Sequence, residues 1–207
     1  MTASTPLNGT QGYAEQAARL VIDYENLTFA EVHKATRHLY PATPSRMLDI
    51  GAGTGRDAAA LAAEGHRVLA VEPTAELRQH GQQLHRSPNI TWLDDGLPDL
   101  QHTLARSDHF DLILLTAVWM HLDAAERARA MRNVSRLLAA AGQIIITLRH
   151  GPIPTGRRMF DVGHQETAAL AEQHGLHCTF RAEYADSRDR PGIHWTAIAL
   201  CRAKTPT

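Results

Sequence analysis

The stretch Met47-Leu48-Asp49-Ile50-Gly51-Ala52-Gly53-Thr54-Gly55-Arg56 limits what this chain can fold into more than any other. An apolar run enters a turn holding three glycines, and an alanine-rich segment, Asp57 to Ala63, leaves it. That order reads as a strand end, a loop without side-chain bulk and a helix N-terminus, where a nucleotide-like ligand can lie against bare backbone. A second apolar run, His66 to Val71, ends in Glu72. This acid falls about twenty residues after the first glycine, the spacing that sets a carboxylate on a ribose diol. Together the two runs predict a β-α-β nucleoside-binding unit.

The rest of the chain alternates in the same way. Tyr13 to Leu39 carries apolar residues at helical intervals, with a break near Glu25-Asn26, and Pro41 and Pro44 end it. Strands are predicted at Arg46 to Ile50, His66 to Val71, Ile90 to Leu93, Phe110 to Leu115 and Gln143 to Leu148. Helices are predicted after the glycines to Gly65, from Thr74 to Leu84, from an Asp123 cap to about Ala140, and over Gln165 to His174. The unbroken apolar run at Phe110 to Leu115 suits a parallel strand covered on both faces. Two closing strands, His177 to Tyr184 and His194 to Leu200, flank the polar turn Asp186 to Gly192. The pattern predicts a three-layer αβα, doubly wound, mostly parallel sheet ending in an antiparallel hairpin.

Composition narrows the classes further. With 207 residues, 43% of them hydrophobic, the chain suits a single α/β domain over residues 13–207. A formal net charge of −1 argues against a broad nucleic-acid-binding face. No apolar run reaches membrane-spanning length. Residues 1–12 have neither a basic nor an apolar region, so they read as a flexible tail and not a signal peptide. Cys178 and Cys201 stand in apolar contexts without a C-x-x-C pair and read as buried free thiols of a cytoplasmic protein. The histidines are scattered without metal-site spacing, so no metal is predicted.

In an open α/β sheet the ligand sits beyond the strand C-termini, at the point where strand order reverses. Strand ends here deliver Asp49 and the glycines, then Glu72, then Asp94 and Asp95, then Thr116-Ala117-Val118-Trp119-Met120-His121, then Arg149 and His150. These polar ends fit an adenosine whose tail crosses the glycine turn.

These motifs, in this order, resemble those of the class I S-adenosylmethionine-dependent methyltransferases. The resemblance rests on Leu48 to Gly55, Val71-Glu72, Asp94-Asp95-Gly96-Leu97-Pro98, Phe110 to Ile113 and Ala141 to Ile146, and covers about Arg46 to the C-terminus. It implies a seven-stranded sheet with an antiparallel last strand, with S-adenosylmethionine as cofactor. By position, Asp49, Gly51, Ala52, Gly53, Thr54, Gly55, Arg56 and Asp57 would approach the methionine moiety. Glu72 and Pro73 would meet the ribose, Asp94, Asp95 or Gly96 the adenine, and Thr116, Ala117 and Trp119 the floor of the site. Trp119 reads as a cofactor-contacting or core aromatic and not as a substrate stacker.

On the acceptor side, His121 is either a general base or a histidine packed beside the cofactor. Arg149, His150 and Arg157 suit a carboxylate or phosphate on a small-molecule substrate, while Arg157 and Arg158 also read as a solvated basic loop. The segment 13–40, with Tyr13, Tyr24, Phe29 and His33, is expected to fold over the site as a lid, with Tyr24 in the pocket and Phe29 in ordinary packing. Thr116 to Trp119 stands where adenine-specific DNA methyltransferases carry Asn/Asp-Pro-Pro-Tyr/Phe, which disfavours that substrate. Two other readings stay open: a nicotinamide-dependent oxidoreductase, against which Arg56 replaces the last glycine of G-x-G-x-x-G, and a non-catalytic cofactor-binding partner subunit. The sequence leaves the oligomeric state open.

Overall fold

A computed structural model describes residues 9–203. Its centre is one seven-stranded sheet in the order β3-β2-β1-β4-β5-β7-β6. The strands are β1 (Arg46–Ile50), β2 (Arg67–Val71), β3 (Ile90–Leu93), β4 (Phe110–Leu115), β5 (Leu138–His150), β6 (Leu176–Ala185) and β7 (His194–Arg202). Strands β1 to β5 pair in parallel, and β7 runs antiparallel to both neighbours. This is the expected sheet, with its last strand reversed. Strand order turns back between β1 and β4, which places a crevice at their C-terminal ends.

The apolar strands are continuous because both faces are covered. Side chains alternate across a strand. Leu48, Ile50, Leu69, Val71, Ile113, Leu115, Ile144 and Ile146 fill one core, and Met47, Val68, Ala70, Leu112, Leu114 and Ile145 fill the other. The first core packs on α6 (Ala124–Leu137) through Ala130, Met131 and Val134, and on α7 (His164–Glu172) through Ala171. The second takes Ala58, Leu61 and Ala62 of α3 (Arg56–Ala63), with Tyr40 and the flanking Phe29. At about 25 cal/mol per Å² of apolar surface, each large side chain buried here stabilises by roughly 2 kcal/mol.

Before β1 lie α1 (Ala17–Glu25) and the one-turn α2 (Phe29–Val32). The break falls at the expected place. A capping box starts α2: Glu31 N–H donates to Thr28 Oγ1, and Thr28 N–H donates to the Glu31 carboxylate. Helix α4 (Ala75–Leu84) follows β2, and α6 begins on the Asp123–Glu126 capping box.

Three sequence expectations change. A five-residue helix, α5 (Gln101–Ala105), stands between β3 and β4; it is too short to show a period, and Asp95 anchors it by accepting from both Thr103 N–H and its hydroxyl. The run Leu138 to Ala140, expected as the end of the helix from Asp123, begins β5 beside Phe110. Cys178 is exposed on the edge strand β6 and Cys201 is half-buried; both are free. Residues 1–8 of the expected tail lie outside the described residues. Gly9 and Thr10 line the main cavity. No helix among the described residues is long and apolar enough to cross a membrane.

Candidate active site

A cavity of about 630 Å³ opens at the β1–β4 switch point, roofed by α1 and by the loops after β5 and β6. Its glycine-loop side is acidic, carrying Asp49, Asp57 and Glu72. Its far side is basic, carrying Arg149, Arg157, Arg188 and Arg190.

The backbone shapes the acidic side. Gly51 has φ 74°, and a Cβ there would run into Val118 Cγ1. The loop thus approaches the chain after β4 as only glycine permits. Glu72 is buried at the end of β2; one carboxylate oxygen accepts from Gly53 N at 2.9 Å and the other from Thr74 N at 2.8 Å. Burial raises its pKa, and these N–H donors oppose that rise. Each oxygen keeps a lone pair for a ligand hydroxyl.

Asp49 is buried, and among the described residues its Oδ2 has no hydrogen-bond partner. Burial, then the neighbouring Asp57 charge, pushes its carboxyl well above the usual range. Asp57 behaves oppositely. Burial would raise it, but His33 Nε2 at 2.8 Å and Arg56 Nε at 2.7 Å hold it well below the ordinary carboxylate range. Tyr40 Oη lies 2.7 Å from His33 Nδ1 and completes the buried chain.

The basic side is built from both ends of the sequence. His121 Nδ1 lies 2.7 Å from the Arg158 carbonyl, and its Nε2 lies 2.9 Å from Tyr13 Oη. Burial, then the nearby Arg157, Arg149 and Arg158, overcomes the carbonyl hydrogen bond and lowers the His121 pKa, so the neutral ring is favoured. A carbonyl only accepts, so Nδ1–H donates to Arg158, and Nε2 accepts from the Tyr13 hydroxyl. Arg157 lies over the Tyr13 ring at 3.7 Å and donates to Gln11 O and Gln16 Oε1. Arg149 is buried and donates to Pro152 O at 2.7 Å and Gly151 O at 3.4 Å; burial lowers its pKa.

Most sequence-predicted residues meet here. Asp49, Gly51, Ala52, Gly53, Thr54, Arg56, Asp57, Glu72, Pro73, Gly96, Thr116, Ala117, Tyr24, His121, Arg149 and Arg157 all line the cavity. Five do not. Gly55 turns the chain into α3 and packs on Trp92, where a Cβ would meet the indole at 2.6 Å. Asp94 turns outward to Arg78 at 2.8 Å, and Asp95 is spent on α5. Trp119 is fully buried in the core, its chain turned back by Ala117 at φ 58°, whose N–H is held by Thr147 Oγ1. His150 sits on the face of β5 opposite Arg149, against Thr196 at 3.0 Å and stacked on His194. Arg158 is no free basic residue either: it ties the loop after β5 to Asp123 and Glu126. Phe29 packs against the core, as expected.

Sequence reading missed Tyr13 as a partner of His121, and it missed Arg188 and Arg190. The antiparallel pairing of β5, β7 and β6 brings the loop 186–193 to the same sheet end as Arg149, a closeness no local pattern encodes.

The sheet order, the switch-point cavity and the acid after β2 define a Rossmann-like methyltransferase fold. A family model described as "Methyltransferase domain" matches residues 48–146. A demethylmenaquinone methyltransferase from Clavibacter sepedonicus is 28% identical over 129 residues, 61% of this chain and 51% of that protein. The match thus spans about half the length of that curated relative. Among solved structures, a TehB-like S-adenosylmethionine-dependent methyltransferase from Corynebacterium glutamicum superposes with TM-score 0.68 at 20% identity, covering 91% of this chain and 99% of that one. A 1,6-didemethyltoxoflavin-N1-methyltransferase from Burkholderia thailandensis, with bound 1,6-didemethyltoxoflavin and S-adenosylhomocysteine, gives 0.66 at 19%, covering 99% and 94%. Over residues 48–146 the chain is similar to methyltransferases, and it shares the fold of S-adenosylmethionine-dependent ones, so the group to test against the site is S-adenosylmethionine. The residues fit that group: the unpartnered buried Asp49 Oδ2 suits an ammonium, the Glu72 oxygens suit ribose hydroxyls, and the glycine turn leaves room for the chain between them.

Proposed function

We propose that this protein transfers a methyl group from S-adenosylmethionine to a small-molecule acceptor carrying a carboxylate or phosphate. The cofactor supplies an electrophilic methyl group on a sulfonium. The chain's own residues bind and orient the acceptor beside it, and positioning of that kind supplies much of the rate.

One observation carries the acceptor's charge. Arg149 and Arg157 both line the cavity, and among the described residues neither has an ion-pair partner; they meet carbonyls, an amide and a phenol ring. The other arginines of this wall are matched, Arg188 by Asp23 at 3.1 Å and Arg190 by Asp186 at 2.7 Å. A sheltered guanidinium without a counter-charge is costly unless a ligand supplies one. The names of the Clavibacter and Burkholderia relatives denote enzymes that methylate small molecules, which supports the same class.

The test is methyl transfer, followed by mass spectrometry, across paired acceptors that differ only in a carboxylate or phosphate. Transfer to the anionic members, with KM raised at least tenfold in Arg149→Met or Arg157→Met, is expected. Equal use of the neutral partners would reject the anionic class. Absence of transfer with any acceptor, despite cofactor binding, would favour a partner-subunit role.

A further inference from the structure

Tyr13, contributed from outside the glycine-loop core, lines the cavity beside His121. Its hydroxyl proton is committed to His121 Nε2, because His121 Nδ1–H is committed to the Arg158 carbonyl. The result is a pair of one polarity, Tyr13 to His121, both lining the cavity, with Tyr24 on the same cavity wall. A phenol oxygen has two acceptor positions, and a donor from the cavity fits one of them on Tyr13.

We propose that Tyr13 is a catalytic residue that takes the proton of an acceptor hydroxyl while passing its own to His121, and that the acceptor is a phenol or enol bearing a separate anionic group. The step balances as an acid–base exchange. The acceptor O–H bond breaks, its proton goes to Tyr13 Oη, Tyr13's proton goes to His121 Nε2, and the acceptor is left as an oxyanion. His121 becomes a cation, and the acceptor keeps the electron pair that attacks the methyl group.

The surroundings set the acceptor class. The groups facing His121 and Tyr13 are Tyr24 on α1, Arg149 on β5, and Arg157 and Arg158 on the following loop, with Glu72 across the cavity. Burial, and then three nearby guanidiniums, make His121 a weak base. An aliphatic alcohol is too weak an acid for it, whereas a phenol or enol is within reach. A cationic amine would meet the same guanidiniums and be repelled. The separate anion answers Arg149 and Arg157.

This inference rests on the methyltransferase reading above, and its test separates the two. Titrate 4-hydroxy-3-nitrobenzoate, whose visible absorption reports phenol ionisation, into the protein saturated with S-adenosylhomocysteine. The bound phenol should ionise about one pH unit lower than in water. Tyr13→Phe and His121→Asn should each return it to the solution value while the S-adenosylhomocysteine affinity stays within about threefold of wild type. Arg157→Met should instead weaken probe binding. If the nucleoside binds but the probe does not, or if Tyr13→Phe keeps the shift, the Tyr13 proposal is overturned. If S-adenosylhomocysteine itself does not bind, the underlying methyltransferase reading fails instead.

Discussion

Gly53 N–H donates to the Glu72 carboxylate at 2.9 Å, so the glycine turn after β1 and the acid after β2 are bonded to each other across the sheet. Glu72 therefore does two things: it fixes the loop and offers its remaining lone pairs to a ligand. Glu72→Ala leaves the Gly53 and Thr74 N–H groups without their acceptor, at about 1–3 kcal/mol for a buried polar group. Urea unfolding should show that loss, and calorimetry should show S-adenosylhomocysteine affinity falling at least tenfold. Unchanged affinity would remove Glu72 from the binding site.

Asp49 separates binding from stability. Among the described residues its Oδ2 has no partner, and its carboxyl is pushed up by burial and by Asp57. A carboxyl whose folded pKa is raised loses stability as pH climbs from its unfolded value, about 3.9, through the folded one. Asp49→Asn removes that cost. The variant should melt no lower than wild type at pH 7, yet bind S-adenosylhomocysteine at least tenfold more weakly, about 1.4 kcal/mol. A lower melting temperature with intact affinity would contradict both parts.

Asp57 gives the opposite pH dependence. His33 and Arg56 hold its carboxyl low against the pull of burial. Its contribution is therefore complete above the ordinary aspartate range, near pH 4, and is lost as pH falls through the depressed folded value. His33→Ala should cost about 1–3 kcal/mol at pH 7 by leaving a buried carboxylate short of one hydrogen-bond donor. The difference from wild type should shrink in unfolding curves recorded below pH 4.

Gly81 inverts a common rule. In a helix, Gly→Ala ordinarily stabilises by up to about 1 kcal/mol. Here a Cβ would lie 2.7 Å from the Thr54 carbonyl oxygen and strike the Trp92 ring. Trp92 fills the gap between Gly55 and Gly81 and so backs the nucleoside loop from α4. Gly81→Ala should destabilise by about 1–3 kcal/mol through overpacking. A stabilised variant would show that α4 moves freely against the loop.

The nucleoside unit was legible because its signals are local: apolar runs of strand length, a triple-glycine turn, and an acid at fixed spacing. The failures are equally physical. Asp94 and Asp95 occupy the expected strand end, but Arg78 and the N–H groups of α5 take their carboxylates. His150 fails because β-strand alternation sends neighbours to opposite faces, and Arg149 takes the inner one. Trp119 follows a left-handed turn at Ala117 that no composition rule announces. Tyr13 and His121 are 108 residues apart, and only the tertiary fold makes them a pair.

The most direct measurement is calorimetric titration of the protein with S-adenosylhomocysteine, with NAD and NADP titrated in parallel. The account predicts one site with Kd on the order of micromolar, about 8 kcal/mol of binding free energy, weakened at least tenfold in Asp49→Asn, and no heat from either nicotinamide nucleotide. Binding of NAD or NADP in place of S-adenosylhomocysteine would contradict it.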